Sequence, residues 1–411
     1  MKILNFGSCN IDYVYSLDHI VKAGETQTTY DTKIFPGGKG LNQSIALAKA
    51  GGKVFHAGCI GHDGGMLADI LSYNGVDISY IERTEDKNGH AIIQVSKTGE
   101  NSIFLYPGSN EQVSKKYIDS ILENFEKDDV ILLQNEISNV EYIVNRAYEK
   151  GMCIILNPSP INERIDVIDF GKIRYIVLNE IEICEIFGGS DAEGALENAK
   201  IKYPNLKIML TLGEKGSIYI DKNSKIYQPA FKVKTVDTTA AGDTFTGYFA
   251  AGLSEKKEVK DILKTASAAS ALAVSKKGAA TSIPSKDEAV SALEYLEENR
   301  TNIKEDILLR KIDKYIEENL KTAKLEELAE KLGYSGAYTG TLVKKLTGMS
   351  FIKAVQYKRC SVAEKWLVDT DLPIESIATE VGYENKSYFR RIFKEQYGKN
   401  PLEYRKRREK K

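Results

Sequence analysis

The chain lacks any uninterrupted apolar run of about 18 residues, the length a helix needs to cross a bilayer, so a helical membrane protein is excluded. Cysteine is sparse and unorganised: Cys9, Cys59, Cys153, Cys184 and Cys360 are odd in number, widely spaced and never form a C-x-x-C pair. That speaks against a disulfide framework and a zinc site, and leaves buried thiols as the reading. Only four histidines occur, His19, His56, His62 and His90, with no ligand spacing among them, so no protein-held transition metal is expected. Net charge is nearly absent at −1, and the average gives no sign of a nucleic-acid partner. The opening MKILNFGSCNID carries one lysine and passes straight into a strand pattern, without the apolar core or cleavage site of a signal peptide. A cytoplasmic protein with no membrane partner is therefore the expectation.

What is present is enough chain for two cores. At 411 residues, 42% hydrophobic and 28% charged, the composition is that of a globular protein larger than one ordinary domain. From Met1 to about Pro284, short apolar runs (ILNFGS, VFHAGCIG, DVILLQNE, CIILNPSP, YIVLNE, KIMLTLG) alternate with helical patterns, each run ending at a polar or Gly/Pro turn. Several runs are nearly continuous rather than alternating, which predicts a parallel sheet covered on both faces, an α/β doubly wound fold. Between His90 and Ser109, HAIIQVS and IFLYPGS read as an inserted two-stranded hairpin, a candidate lid. GSCNID reads as the end of the first strand, carrying Asn10 and Asp12.

After Pro284 the pattern is helical and charged, which puts a boundary near residues 300 to 305 and predicts domains over 1–300 and 305–411. The second part repeats itself. Ala329 in LEELAEKLGYS returns as Ala378 in IESIATEVGYE, 49 positions on, and Gly348 in KKLTGMS returns as Gly398 in KEQYGKN, 50 positions on. Each copy has a Gly-Tyr bend between two helices, the construction of a helix-turn-helix, with a generic helical hairpin as the bland alternative. Charge concentrates beyond it, in YRKRREKK, where Arg405, Lys406, Arg407, Arg408, Lys410 and Lys411 face Glu409 alone.

Chemistry concentrates in the first part, where loops start helices at strand ends. In DTTAAGDTF, Ala240, Ala241 and Gly242 lack bulk, so their amides can close around an anion at a helix N-terminus. Asp243 sits beside that anion, either as a helix cap or as a base that takes a hydroxyl proton during phosphoryl transfer. In FPGGKGLNQSIALAKAG, Gly37, Gly38 and Gly40 permit close backbone approach, Lys39 brings a cation and Asn42 an amide. Asn10 and Asp12 suit sugar hydroxyls or, more plainly, a turn.

These three motifs in this order resemble the ribokinase family of sugar kinases, and LNPSP, LNEIE, TLGEKG and KKGAATSIP follow in family order over about residues 1–300. The resemblance implies Asp243 as catalytic base and Ala240, Ala241 and Gly242 as the anion hole. It implies a sugar held by Asn10, Asp12, Gly38, Lys39, Gly40, Asn42, Glu136 and Asp243. ATP would lie against Asn179, Gly242 and the turn Thr211, Leu212, Gly213, Glu214, Lys215 and Gly216, with Mg2+ organised by Glu182 through water. A potassium site would take Asp237, the Thr239, Ala273, Lys276 and Gly278 carbonyls and the Ser282 hydroxyl. Lys39 within GGKG and the pair NID favour ribose, going to ribose 5-phosphate; deoxyribose, a nucleoside, or a sensor that keeps an idle kinase fold are the alternatives. A homodimer is expected.

Residues 305–408, above all GYENKSYFRRIFKEQYGKNPLEYRK, are similar to AraC-type DNA-binding domains. That resemblance implies an all-α double helix-turn-helix whose second helices enter successive major grooves of an operator duplex, about 34 Å apart. In the second copy Glu384, Asn385, Lys386, Ser387, Arg390 and Arg391 become candidate contacts, while Tyr388, Phe389, Ile392 and Phe393 read as core. The first copy has Thr339 and Gly340 where the second has Phe389 and Arg390, and a mid-helix glycine costs about 1 kcal/mol relative to alanine, which leaves contact by that copy open.

Overall fold

The computed structural model describes residues 1–405, and the side chains of all of these except 298–304 and 306. The chain divides into two compact units, Met1–Glu297 and Glu298–Lys411. In chain order the first unit runs β1 (Ile3–Phe6), β2 (Asn10–Leu17), β3 (Asp31–Gly37), α1 (Lys39–Lys49), β4 (Val54–Ile60), α2 (Gly65–Tyr73), β5 (Asp77–Arg83), β6 (Gly89–Ser96) and β7 (Asn101–Tyr106). It continues α3 (Lys115–Leu122), β8 (Val130–Gln134), α4 (Val140–Glu149), β9 (Cys153–Asn157), β10 (Tyr175–Asn179), α5 (Glu180–Phe187), α6 (Ala192–Lys202), β11 (Lys207–Thr211), β12 (Ser217–Ile220), β13 (Lys225–Gln228), α7 (Ala241–Ser254) and α8 (Val259–Val274).

Nine strands form the main sheet in the order β13-β12-β11-β10-β9-β8-β1-β4-β5, parallel except at β12 and β13. Two cores cover its faces. Ile3, Leu132, Ile155 and Val177 belong to one, with α1, α2, α7 and α8; Leu4, Leu133, Leu156 and Leu178 belong to the other, with α3 to α6. This is the doubly wound α/β architecture that the near-continuous apolar runs predict.

The lid differs from the expected hairpin. It is a four-stranded sheet in the order β3-β2-β6-β7, so residues 90–109 supply only half of it. Asn10 and Asp12 correspondingly do not end the first strand: β1 stops at Phe6, and both residues open β2 of the lid sheet. A chain that leaves one sheet for another within four residues carries no change of hydrophobic period to mark the crossing. Strands also end earlier than expected, at Gln228, because the Ala-rich segments beyond fold as α7 and α8.

The remaining helices are α9 (Lys286–Glu318), within which the two units divide, α10 (Leu325–Leu332), α11 (Gly336–Thr347), α12 (Phe351–Asp369), α13 (Ile374–Glu380), α14 (Lys386–Tyr397) and α15 (Pro401–Arg405). The repeat seen in the sequence is structural: α10 and α11 form one helix-turn-helix, α13 and α14 the other. Gly333 and Gly382 bend the chain between them with φ of 73° and 92°, where a side chain would be strained. Helix α12 serves both copies, giving Phe351, Ala354 and Val355 to one core and Cys360, Ala363 and Leu367 to the other. Phe389 and Phe393 are fully buried in the second core, as expected, whereas Tyr388 is exposed. Helix α11 passes unbroken through Gly340, and Thr339 is buried at the position matching Phe389. The first copy's departure thus lies partly in packing rather than on its outer face.

Candidate active site

The site grows from a change of residue type at the carboxyl ends of neighbouring strands. On one face, Ile3, Leu132, Ile155 and Val177 are each followed two residues later by an amide: Asn5, Gln134, Asn157 and Asn179. Period-two alternation keeps all four on the side of α1 and α7, so the sheet face turns from apolar to polar where ligands bind in open α/β folds.

The glycine loop lies over this polar end. Gly40 is the second residue of α1, and a Cβ there would fall 2.3 Å from the Ser8 nitrogen, so only glycine lets the helix start rest on the β1–β2 connection. Lys39 donates its backbone N–H to Glu136 Oε2 at 2.9 Å, and the Ser8 hydroxyl donates to the same oxygen. Burial pushes the Glu136 carboxyl up from its ordinary value despite the Lys39 ammonium and these two donors. Burial would lower the Lys39 ammonium, but the carboxylates of Asp243, Glu136 and Glu182 outweigh it and raise its proton affinity. Asp12, on β2, is pushed up to about 7, chiefly by burial and further by Glu136. Asn10 beside it is buried, and its Oδ1 accepts from Asn110 Nδ2 at 2.8 Å.

Helix α7 brings the second carboxylate of the motif. Gly247 faces α1 so closely that a Cβ would fall 2.4 Å from the Ala46 methyl carbon. One turn earlier on the same face, Asp243 therefore meets the turn of α1 that precedes Ala46. Asn42 Nδ2 donates to its Oδ2 at 3.0 Å and Gln43 Nε2 to its Oδ1 at 2.9 Å, and the residue is buried. Asp243 is thus no helix cap: its oxygens point to α1, and Ala240 at the cap position offers no side-chain hydrogen bond. The Ala241 N–H reaches Thr238 O at 3.2 Å, Ser270 Oγ donates to Ala241 O at 3.1 Å, and a Cβ on Gly242 would meet nothing within 4 Å.

Asp237 joins two loops. Its Oδ1 accepts from the Thr239 N–H and hydroxyl, closing a turn, while its Oδ2 accepts from Gly278 N–H at 3.0 Å and ties that turn to the 276–282 loop. These donors hold its carboxyl below the usual range in spite of burial. In the same loop Lys276 N–H donates to Ala273 O at 3.1 Å, and the buried Ser282 hydroxyl donates to Ala279 O at 2.9 Å.

At the carboxyl end of β10, Asn179 and Glu182 form a capping box on α5. Asn179 Oδ1 accepts from the Ile181 and Glu182 amides, and Glu182 Oε2 accepts from Asn179 N–H, each at 2.9 Å. Glu182 still lies near enough to Lys39 to raise its proton affinity. Thr211 ends β11, and Leu212, Gly213, Glu214, Lys215 and Gly216 follow as a tight turn with Glu214 and Lys215 exposed.

Sequence reading passed over three residues that the fold brings here: Ser8 on Glu136, Asn110 on Asn10 and the amide of Cys9, and Gln43 on Asp243. Gln43 stands next to Asn42 in the motif, which is a signal; Asn110 has none, since its partners lie about a hundred residues away.

In the second helix-turn-helix, Glu384, Asn385, Ser387, Arg390 and Arg391 are exposed and Lys386 is half-buried. Asn385 caps α14 by accepting from Tyr388 N–H, Lys386 donates to Thr379 Oγ1, Arg390 pairs with Glu375 at 2.6 Å, and Arg391 lies 5.0 Å over the Tyr388 ring. The basic stretch 406–411 lies outside the described residues.

Comparison with known proteins agrees with both halves. Residues 1–286 match the pfkB family of carbohydrate kinases, and residues 328–407 match a helix-turn-helix domain family. The ribokinase of Haemophilus influenzae is 36% identical over 299 residues, covering 70% of this chain and 97% of that protein. The deoxyribokinase of Salmonella typhi is 32% identical, covering 69% and 96%. Among solved structures, the Arabidopsis thaliana ribokinase complexed with ribose and ATP superposes with a TM-score of 0.64 at 28% identity, over 71% of this chain and 98% of that one. With a carboxylate-bearing helix N-terminus facing a glycine loop over the sheet's polar end, and with these matches, the chain belongs to the pfkB family of carbohydrate kinases and carries an AraC-type helix-turn-helix domain.

Proposed function

We propose that the first unit transfers the γ-phosphoryl group of ATP to a hydroxyl of ribose, yielding ribose 5-phosphate and ADP, and that the helix-turn-helix units make the same chain a sequence-specific transcriptional regulator. One observation carries the kinase reading: the Asp243 carboxylate, buried at the N-terminus of α7, held at both oxygens by α1 and electrostatically coupled to Lys39. In this reading Asp243 accepts the proton of the attacking hydroxyl as its oxygen bonds phosphorus and the bond to the β-phosphate oxygen breaks. The α7 N-terminus, with Ala240, Ala241 and Gly242, meets the charge that develops on the transferred group. Asn42 Oδ1 is buried without a hydrogen-bond partner, which supports its role as acceptor for a sugar hydroxyl alongside Asn10, Asp12, Gly38, Lys39, Gly40 and Glu136.

The donor chemistry suits the cations that the family implies. Glu182 commits Oε2 to the cap, and a single hard oxygen fits Mg2+ that keeps most of its water while bound to ATP phosphates. Asp237, the carbonyls of Thr239, Ala273, Lys276 and Gly278 and the buried Ser282 hydroxyl make an oxygen-only set suited to K+. When bound there, such an ion would supply positive charge behind the α7 N-terminus. Apolar side chains exposed on the lid, Ile34, Phe35, Ile103, Phe104 and Leu105, support a homodimer. Both ATP and operator DNA put the site of action in the cytoplasm.

Among pentoses, hexoses and nucleosides offered with ATP, ribose is expected to give the highest kcat/KM, and K+ to raise the rate. Preference for deoxyribose, as the 32% identity to a deoxyribokinase allows, would overturn the sugar assignment, and no phosphorylation at all would leave a sensor. DNA affinity is expected to fall steeply with salt; an affinity independent of salt would make the helical unit an assembly device instead.

Gly242→Val offers a cleaner test of the anion hole. Because a Cβ at this position meets nothing within 4 Å, the melting temperature is expected to stay within a few degrees, while kcat falls about 10-fold or more through intrusion on the phosphoryl group. Unchanged kcat would place the phosphate elsewhere.

A further inference from the structure

Beneath the reacting groups runs a row of buried amides that the chemistry above does not use. Asp243, when ionised, can only accept hydrogen bonds. Gln43 must therefore turn its NH2 toward it, at 2.9 Å, and the second N–H of that group reaches Asn157 Oδ1 at 3.0 Å. The orientation then propagates. Gln43 Oε1 faces β8 and accepts from Gln134 Nε2 at 2.7 Å; the same Gln134 group donates to Asn5 Oδ1 at 3.0 Å. Asn5 in turn donates to Gly40 O and Ser44 Oγ, each at 2.7 Å, and Asn157 donates to Val177 O at 2.9 Å. Gln43, Gln134 and Asn5 are fully buried, and only Gln134 Oε1 is left without a partner. A polar network of this kind is costly in a sheet core unless it is nearly satisfied, and it is.

We propose that Gln43 is a positioning residue for Asp243: its amide, oriented by Gln134 and Asn157, fixes the carboxylate toward the substrate hydroxyl, while the other end of the row holds the Gly40 carbonyl of the sugar loop. The proposal rests on the reading of Asp243 as the base. One physical consequence separates it from simple space-filling. A carboxylate freed to rotate loses attack geometry, for which a displacement of about 1 Å costs roughly 100-fold.

Gln43→Met keeps the shape and removes the amide. The expected result, measured on the full chain with ATP and the best sugar of the panel, is a kcat lower by about 10- to 100-fold. The KM for the sugar should change by less than about 3-fold. Gln134→Met, which leaves Gln43 in place but unoriented, should show the same signature at smaller size, and it decides the matter if Gln43→Met fails to fold. A folded Gln43→Met enzyme with kcat within twofold of wild type, or with a sugar KM that rises as much as kcat falls, overturns the proposal, as does the same result for Gln134→Met where that variant decides. Asp243→Asn run in parallel keeps the two readings apart: retained turnover there defeats the base assignment, whereas lost turnover there with normal Gln43 and Gln134 variants defeats only the positioning role.

Discussion

Asp243→Asn is expected to lower kcat by about 10³- to 10⁴-fold, the contribution a positioned general base makes, while KM for sugar and ATP stays within a few-fold. The substitution keeps shape and removes basicity. It also gives Asn42 and Gln43, which now both donate to the carboxylate, one oxygen to share in place of two. That loss opposes the gain from removing a buried charge, so the melting temperature should move by no more than a few degrees. Asp243→Ala would instead strip both amides of their acceptor and cost stability as well as turnover. Binding of operator DNA, measured by fluorescence anisotropy, should be the same in Asp243→Asn and wild type. Turnover within tenfold of wild type would remove Asp243 from the chemistry and with it the main support for the kinase mechanism.

How much of this arrangement the sequence discloses depends on how local each contact is. The start of α7 was legible because small residues before an acid and an apolar helix face are all within one turn of chain. The helix-turn-helix pair was legible because Ala329 and Ala378, and Gly348 and Gly398, repeat at nearly constant spacing, and a repeat needs no knowledge of partners. The capping box at Asn179 and Glu182 likewise spans three residues. The lid was only half legible: β2 pairs with β3 and β6 rather than with the main sheet, and nothing in NIDYVYSL distinguishes a strand of one sheet from a strand of the other. Least legible were the contacts around Asp243. Gln43 and Asp243 are 200 residues apart, and Gln134 lies 91 from Gln43. The four strand-terminal amides do stand in the sequence, as ILN, LLQ, ILN and VLN, but only the parallel pairing gathers them, with Gln134 opposite Asn157 and Asn5 and Asn179 each two residues off that level.

The charge state of Asp12 leads to a second large effect. Asp12 is an acid whose folded-state proton affinity is raised, to about 7 from an ordinary 3.8. The folded protein therefore holds this proton more tightly than the unfolded chain does, and wild-type stability falls as pH rises from about 4 to 7 and stays reduced above that range. Asp12→Asn has no proton to lose. It is expected to melt higher than wild type at pH 8, by about 2–4 °C for a stabilisation of about 1–2 kcal/mol after allowance for solvent reaching this half-buried group, and the advantage should vanish towards pH 4. Function should move the other way. A sugar hydroxyl that donates to the Asp12 carboxylate prefers its ionised form, so wild-type sugar affinity should rise as pH passes upward through about 7, with proton release on binding. In Asp12→Asn that pH dependence should disappear and affinity should drop by about 100-fold, the scale of a lost hydrogen bond to a charged group together with a mispaired hydroxyl. Calorimetric titration with ribose at pH 6, 7 and 8, in two buffers of different ionisation enthalpy, measures both the affinity and the proton. A stabilised Asp12→Asn protein that still binds sugar normally would show that Asp12 burdens the fold for some purpose other than the substrate; a destabilised one would show that its carboxyl is a structural hydrogen-bonding group of the lid.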